Sequence, residues 1–138
     1  MLKTLFRKKK SATTDLGKRG ERIAAARLQR SGYRVVAKNV RTRIGEIDLI
    51  CEAPDKQTVV VVEVKTRKRE EGDRPHAEAS ITRRKGAKLA ALTRWMRRSN
   101  GWENRPVRID VVSVEMLPSG KTDVRHVQGA IDAGGRRA

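Results

Sequence analysis

Four consecutive valines, Val59 to Val62, followed by Glu63, Val64, Lys65, Thr66 and Arg67, constrain this chain more than any other stretch. An unbroken run of β-branched residues reads as a strand covered on both faces, so the fold needs packed elements above and below a sheet. Side chains alternate along a strand. Glu63 and Lys65 therefore point to one face, and Val62, Val64 and Thr66 to the other. A carboxylate and an ammonium in so apolar a strand are costly unless each meets an opposite charge or an ion.

The preceding strand, Ile44 to Cys51, carries the complement. Gly45 marks a bulge or a close approach at its start. Glu46, Asp48 and Ile50 fall on one face, and Ile47, Leu49 and Cys51 on the other. The polar stretch Glu52 to Gln57 leads straight back into the valines and predicts an antiparallel hairpin. Centred between Asp55 and Lys56, this hairpin sets Asp48 opposite Glu63 on the same face, about 5 Å apart at Cβ. Lys65 lies diagonally within reach.

Thr13, Thr14 and Asp15 are N-cap candidates for a helix from Leu16 to Arg30 that ends at Ser31-Gly32. Glu21 falls on its apolar stripe with Gly17, Ala24 and Leu28. The alternatives for Glu21 are a pair with Arg22 or Arg27, or a place beside the hairpin carboxylates. Tyr33 to Val40 reads as a short strand, with Asn39 and Thr42 loosening the chain around a turn. A charged loop from Arg67 to His76 precedes a helix expected from about Ala77 to Ser99, stopped by Asn100-Gly101. Ile81, Leu89, Leu92, Trp95 and Met96 form its apolar stripe, and Arg83, Arg94, Arg97 and Arg98 cluster opposite. Lys88 can snorkel from the stripe. Lys85, near the helix start, is in reach of the carboxylates. Strands from Pro106 to Leu117 and from Lys121 to Val127 flank the turn Pro118-Ser119-Gly120. The expectation is one α/β domain over residues 13–128, built on a central mixed sheet of about five strands flanked by helices. A disordered basic arm (1–12) precedes it and a flexible tail (129–138) follows.

Lys and Arg number 33 against 16 Asp and Glu, a net charge of +17, so a polyanionic partner is expected. Nucleic acid leads, ahead of an anionic membrane surface or a ribosomal setting. Aromatic residues make up 3% of the chain, so binding rests on phosphate neutralisation rather than stacking on an aromatic platform. Arg83, Arg94, Arg97 and Arg98 with the loop Arg67-Lys68-Arg69 are the candidate phosphate contacts. Cys51 is the lone cysteine, which fits a reducing cytoplasm and leaves no internal disulfide. No apolar run approaches the ~20 residues of a membrane span, and no secretory signal is read at the start.

Two facing carboxylates repel, and a divalent cation removes that cost. Asp48 and Glu63 offer the hard oxygen ligands that Mg²⁺ or Mn²⁺ takes, with Glu21 as a further ligand from the helix. Lys65 on the same face can orient a water or stabilise developing negative charge in phosphodiester cleavage. The competing reading is a buried ion cluster of purely structural meaning, balanced by a nearby arginine. His76 and His126 with one cysteine do not make a zinc site. His76 reads as a loop residue, Asp110 as paired with a neighbouring base, and Cys51 as a small buried hydrophobe. Trp102 either contacts a base or covers the core.

Taken together, Gly20-Glu21, Gly45-Glu46-Ile47-Asp48-Leu49-Ile50 and Val62-Glu63-Val64-Lys65-Thr66-Arg67 resemble the PD-(D/E)XK nuclease signature. More narrowly, the chain is similar to the YraN-type family of bacterial proteins. Further landmarks are Gly17, Ala24, Leu28, Gly32-Tyr33, Asn39, Lys85 and Arg108-Ile109-Asp110-Val111-Val112. The resemblance runs from about Leu16 to Val127. It implies a restriction-endonuclease-like fold, shared with archaeal Holliday-junction resolvases, and a metal-dependent endonuclease chemistry on branched or structured DNA, with a two-fold dimer by analogy. It also implies that Asp48, Glu63 and Lys65 form the catalytic triad and that Glu21 is the acid from the first helix. The family's aromatic-Gly-Pro-like segment is replaced here by Gly72-Asp73-Arg74-Pro75-His76, a loop expected to shape the substrate entrance. A nucleic-acid-binding module without catalysis remains the alternative.

Overall fold

The computed structural model describes residue 2 and residues 14–137. The expected basic arm lies outside the described residues except for Leu2, which packs against the core. Helix α1 spans Asp15–Arg30, and Thr14 caps it by accepting the Gly17 N–H at 3.1 Å. Strands β1 (Arg34–Thr42), β2 (Gly45–Glu52) and β3 (Val59–Lys68) follow as an antiparallel meander. Helix α2 (Arg83–Ser99) crosses over to β4 (Val107–Met116), which lies parallel to β3, and β5 (Thr122–Ile131) returns antiparallel. The sheet order is β1-β2-β3-β4-β5, the mixed α/β arrangement that the sequence predicts.

The valine strand is central and its four valines are fully buried. Val59 and Val61 join Leu89, Leu92 and Met96 of α2 on one face. Val60 and Val62 join Ala24, Ala25 and Leu28 of α1 on the other. Each helix therefore covers one face, as a strand apolar on both sides requires.

Three expected boundaries are corrected. The second helix starts at Arg83, not Ala77. Thr82 accepts the Lys85 N–H at 3.2 Å and sets the start there, while Ala77–Ala79 form a separate 3-10 turn. Strand β1 runs on to Thr42, past the expected end at Val40, with a bulge between Val35 and Ala37. The last strand continues past Val127 to Ile131, and residues beyond it fold back rather than fray. Asp132 accepts from the Gly134 and Arg136 N–H groups, each at 2.9 Å, and Gly135 lies so close to α2 that a Cβ there would sit 2.5 Å from Ala87 Cα. Trp102 is buried in the α2-side core, so it covers the core. Cys51 is buried and free.

Candidate active site

The β2–β3 ladder pairs Leu49 with Val62, Ile50 with Val61 and Cys51 with Val60, the register that would set Asp48 across from Glu63. The backbone ladder stops one pair short of them. Instead of continuing it, the Asp48 carboxylate accepts the Val64 N–H at 2.7 Å. Beyond this point β2 is paired with β1 alone and twists away from β3. Ile47 consequently packs in the α2-side core, while Leu49 and Cys51 lie on the α1 side. The expectation that these three share a face is thus wrong at Ile47.

The parting of β2 and β3 opens a cleft of about 690 Å³ between the β1–β2 turn and α2, lined by Asp48, Glu63 and Lys85 among others. A second recess on its α1 side brings Glu21 and Lys65 to the same Asp48, Glu63 and Lys85. Glu63 is buried, and Lys85 reaches it with Nζ 2.7 Å from Oε1. With the Asn39 amide turned so that its nitrogen faces Glu21, it donates to both carboxylate oxygens at 3.2 and 3.1 Å. Asn39 holds a left-handed backbone (φ 50°), a conformation asparagine tolerates better than most residues. Its role beside Glu21 was missed, because neither the left-handed turn at Asn39 nor its reach to α1 is expressed in the sequence pattern. No ion pair of Glu21 with Arg22 or Arg27 occurs among the described residues.

Glu21, Asp48 and Glu63 are thus each held by a different partner around one cleft. Burial raises the Glu21 pKa against the pull of Asn39, with the charges of Glu46 and Glu63 adding to the rise. Asp48 is pushed up to about 7, first by burial and then by the negative charge of Glu63. The Val64 N–H and the more distant Lys85 oppose this without cancelling it. Lys85, itself half exposed, has its pKa raised because its bonds to Glu63 outweigh its own desolvation. Asp48 and Glu63, two oxygen donors with incomplete compensation, are the ligand type that a hard divalent cation takes. Glu21 lines the adjoining recess but does not close a three-ligand cluster with them.

The predicted phosphate contacts divide. Arg67 donates to Glu115 (Nε to Oε2, 2.6 Å), and Arg69 bridges Glu115 and Asp123 at 3.0 Å each. Arg97 donates to the Trp102, Glu103 and Arg105 carbonyls, and Arg94 to that of Ala133. These four side chains hold the fold together and do not line the cleft. Lys68, Arg83 and Arg98 are exposed but also lie outside its lining. The cleft is instead rimmed by Arg41, Arg43, Arg84 and Lys88. Sequence reasoning missed Arg41 and Arg43 because it did not weigh the β1–β2 turn, and missed Arg84 because it took the opposite face of α2 as the phosphate contact.

His76 is not a loose loop residue. Its ring bonds Ser113 Oγ at 2.8 Å, its Nε2 lies 3.1 Å from Asp123, and its N–H donates to Glu115 at 2.8 Å. Ligand atoms of His76, Glu115 and Asp123 lie within 4.8 Å of one another, but Arg67 and Arg69 already neutralise those carboxylates. Asp110, fully buried, accepts from Arg108 at 2.7 and 2.9 Å and from the Gly129 N–H at 2.9 Å, with His126 Nε2 2.7 Å away. It is paired with its neighbouring base, as expected, and lies apart from the cleft.

Residues 20–114 match the uncharacterised protein family UPF0102. A UPF0102 protein of Symbiobacterium thermophilum is 45% identical over 119 residues, covering 86% of this chain and 97% of that protein. One of Anaeromyxobacter dehalogenans is 39% identical, covering 88% and 87% respectively. Two solved structures are distant neighbours. A repair endonuclease from Pyrococcus abyssi has a TM-score of 0.39 at 17% identity, with 81% of this chain and 42% of that chain covered. Pyrococcus furiosus SfsA in complex with Ca²⁺ has a TM-score of 0.40 at 18% identity, with 85% and 64% covered.

Proposed function

The chain belongs to the UPF0102 family, and from that premise we propose a metal-dependent endonuclease that hydrolyses DNA phosphodiester bonds, acting on branched or otherwise structured DNA. One observation carries the reading. Asp48, bonded to the Val64 N–H, and the buried Glu63 share one cleft whose outer rim is basic, with Glu21 and Lys65 in the adjoining recess. A cluster kept for structure alone would be fully neutralised, as Glu115 and Asp110 are.

In this reading Asp48 and Glu63 would hold Mg²⁺ or Mn²⁺, and Glu21 would face the bound ion's water from the helix side. When bound, such an ion supplies Lewis acidity toward phosphate oxygens and acidifies water. Lys65, facing the same recess, orients the attacking water and stabilises the charge that grows on the phosphate as the new P–O bond forms and the bond to the departing sugar oxygen breaks. Lys85 fixes the Glu63 carboxylate through their ion pair. Arg41, Arg43, Arg84 and Lys88 carry the flanking phosphates, which gives affinity with little base specificity.

The Lys85–Glu63 pair supports a second reading, a nucleic-acid-binding module whose acidic cluster is partly neutralised from within. Incubation with linear, nicked and four-way-junction DNA separates the two, with Mg²⁺, Mn²⁺ or chelator, beside Asp48→Asn and Lys65→Ala. We expect metal-dependent cleavage that falls at least ~100-fold in each variant, with DNA affinity retained in Lys65→Ala. Binding with no cleavage under either metal would establish the module instead.

A further inference from the structure

Ile44 is the one large hydrophobic side chain exposed among the described residues, at 45% of its surface. It forms, with Arg43, the two-residue turn between the paired Thr42 and Gly45. Thr42 braces this tip, its hydroxyl accepting the Ile44 N–H at 3.2 Å and donating to the Gly45 carbonyl at 2.9 Å. The turn is therefore a shaped projection. Ile44 also lines the cleft that holds Asp48 and Glu63, next to the exposed Arg43 and with Arg41, Arg84 and Lys88 in the same lining.

Phosphate binding accounts for the basic side chains and not for an isoleucine among them. An aliphatic tip in a basic rim is the chemistry of a side chain inserted between bases while its neighbours hold the backbone. Opening an intact stack costs about as much as burying one isoleucine returns. Insertion is therefore favourable only where stacking is already broken. We propose that Ile44 is a wedge that enters a base step of bound DNA at a nick, gap or branch, and so sets the strand over Asp48 and Glu63. The proposal rests on the nuclease reading and specifies which DNA structure that site selects.

The test uses full-length protein with chelator, nicked and intact duplexes carrying 2-aminopurine beside the nick position, and the variants Ile44→Ser and Arg43→Ala. Circular dichroism and melting verify that both variants fold. We expect the wild-type protein to raise 2-aminopurine emission several-fold on nicked DNA alone and to prefer it about tenfold over intact duplex. Ile44→Ser should lose both the emission change and the preference while binding intact duplex within about twofold of wild type. Arg43→Ala should weaken both DNAs alike. An unchanged emission rise with Ile44→Ser overturns the wedge and leaves the nuclease reading standing. So does a change confined to sedimentation, which would assign Ile44 to self-association. Wild-type protein that binds no DNA, with chelator or with Mg²⁺, overturns both.

Discussion

At Asp48, burial and the charges of Glu63 and Glu21 act against the ionised carboxylate, and the Val64 N–H and Lys85 only partly offset them. The sign of the resulting pH dependence follows directly. An unfolded aspartate titrates at about 4, whereas Asp48 in the fold titrates at about 7. Between these values the native state holds a proton that the unfolded state has lost, so this residue's contribution to stability falls as pH rises through that window and is flat above it. Metal-free Asp48→Asn, which keeps an acceptor for the Val64 N–H, should melt at least ~4 °C above the wild type at pH 8, equivalent to ~1 kcal/mol. The difference should vanish at pH 4. Saturating Mg²⁺ should raise the wild-type melting temperature at pH 8 and leave the variant nearly unchanged. Thermal melts across pH, with and without the ion, measure all three.

The position of Glu21 depends on how closely α1 lies on β3. Gly20 is buried against Thr66, and a Cβ there would sit 1.9 Å from Thr66 Oγ1. The neighbouring helix turn is thereby held down against the strand that carries Glu63 and Lys65. Gly20→Ala should destabilise the domain by about 1–3 kcal/mol through overpacking. Thr66→Ala in the same chain should recover part of the loss, since it removes the two nearest atoms. Denaturant unfolding of the single and double variants measures the coupling. Cleavage should fall more in Gly20→Ala than the stability loss explains, because α1 would lift Glu21 away from the cleft.

Over the whole molecule, the excess of positive charge is divided between an internal set and an external set. Arg67, Arg69 and Arg108 neutralise Glu115, Asp123 and Asp110, whereas Arg41, Arg43, Arg84 and Lys88 face the cleft. Burial works to raise the pKa of Glu115 and Asp110, but the N–H donors, His and Arg partners outweigh it and lower both. The bond to His76 lowers that of Asp123. A depressed carboxylate contributes stability above its unfolded pKa and loses it as pH falls through the folded value. Stability should therefore drop as pH falls below about 4, where self-repulsion of the remaining positive charge also grows. Glu115→Gln should flatten that acid limb and cost about 3–5 kcal/mol at pH 7, by leaving Arg67 and Arg69 without their buried partner. Acid titration followed by circular dichroism tests both expectations.

The central strand, its two buried faces, the hairpin register and the common side of Glu63 and Lys65 were all legible in the sequence, because side-chain alternation is a local rule with a period of two residues. The family was legible too, from motifs spread across most of the chain. Tertiary structure decided what distance along the chain cannot express. Strand β2 peels from β3 at Asp48, which moves Ile47 to the other face and opens the cleft. Lys85 meets Glu63 only because Thr82 starts α2 where it does. The loop arginines turn inward to Glu115, and the basic rim forms where the β1–β2 turn faces Arg84 and Lys88 of α2. Which cation meets which carboxylate depends on how helices and loops cross the sheet, and that is set by long-range packing rather than by periodicity.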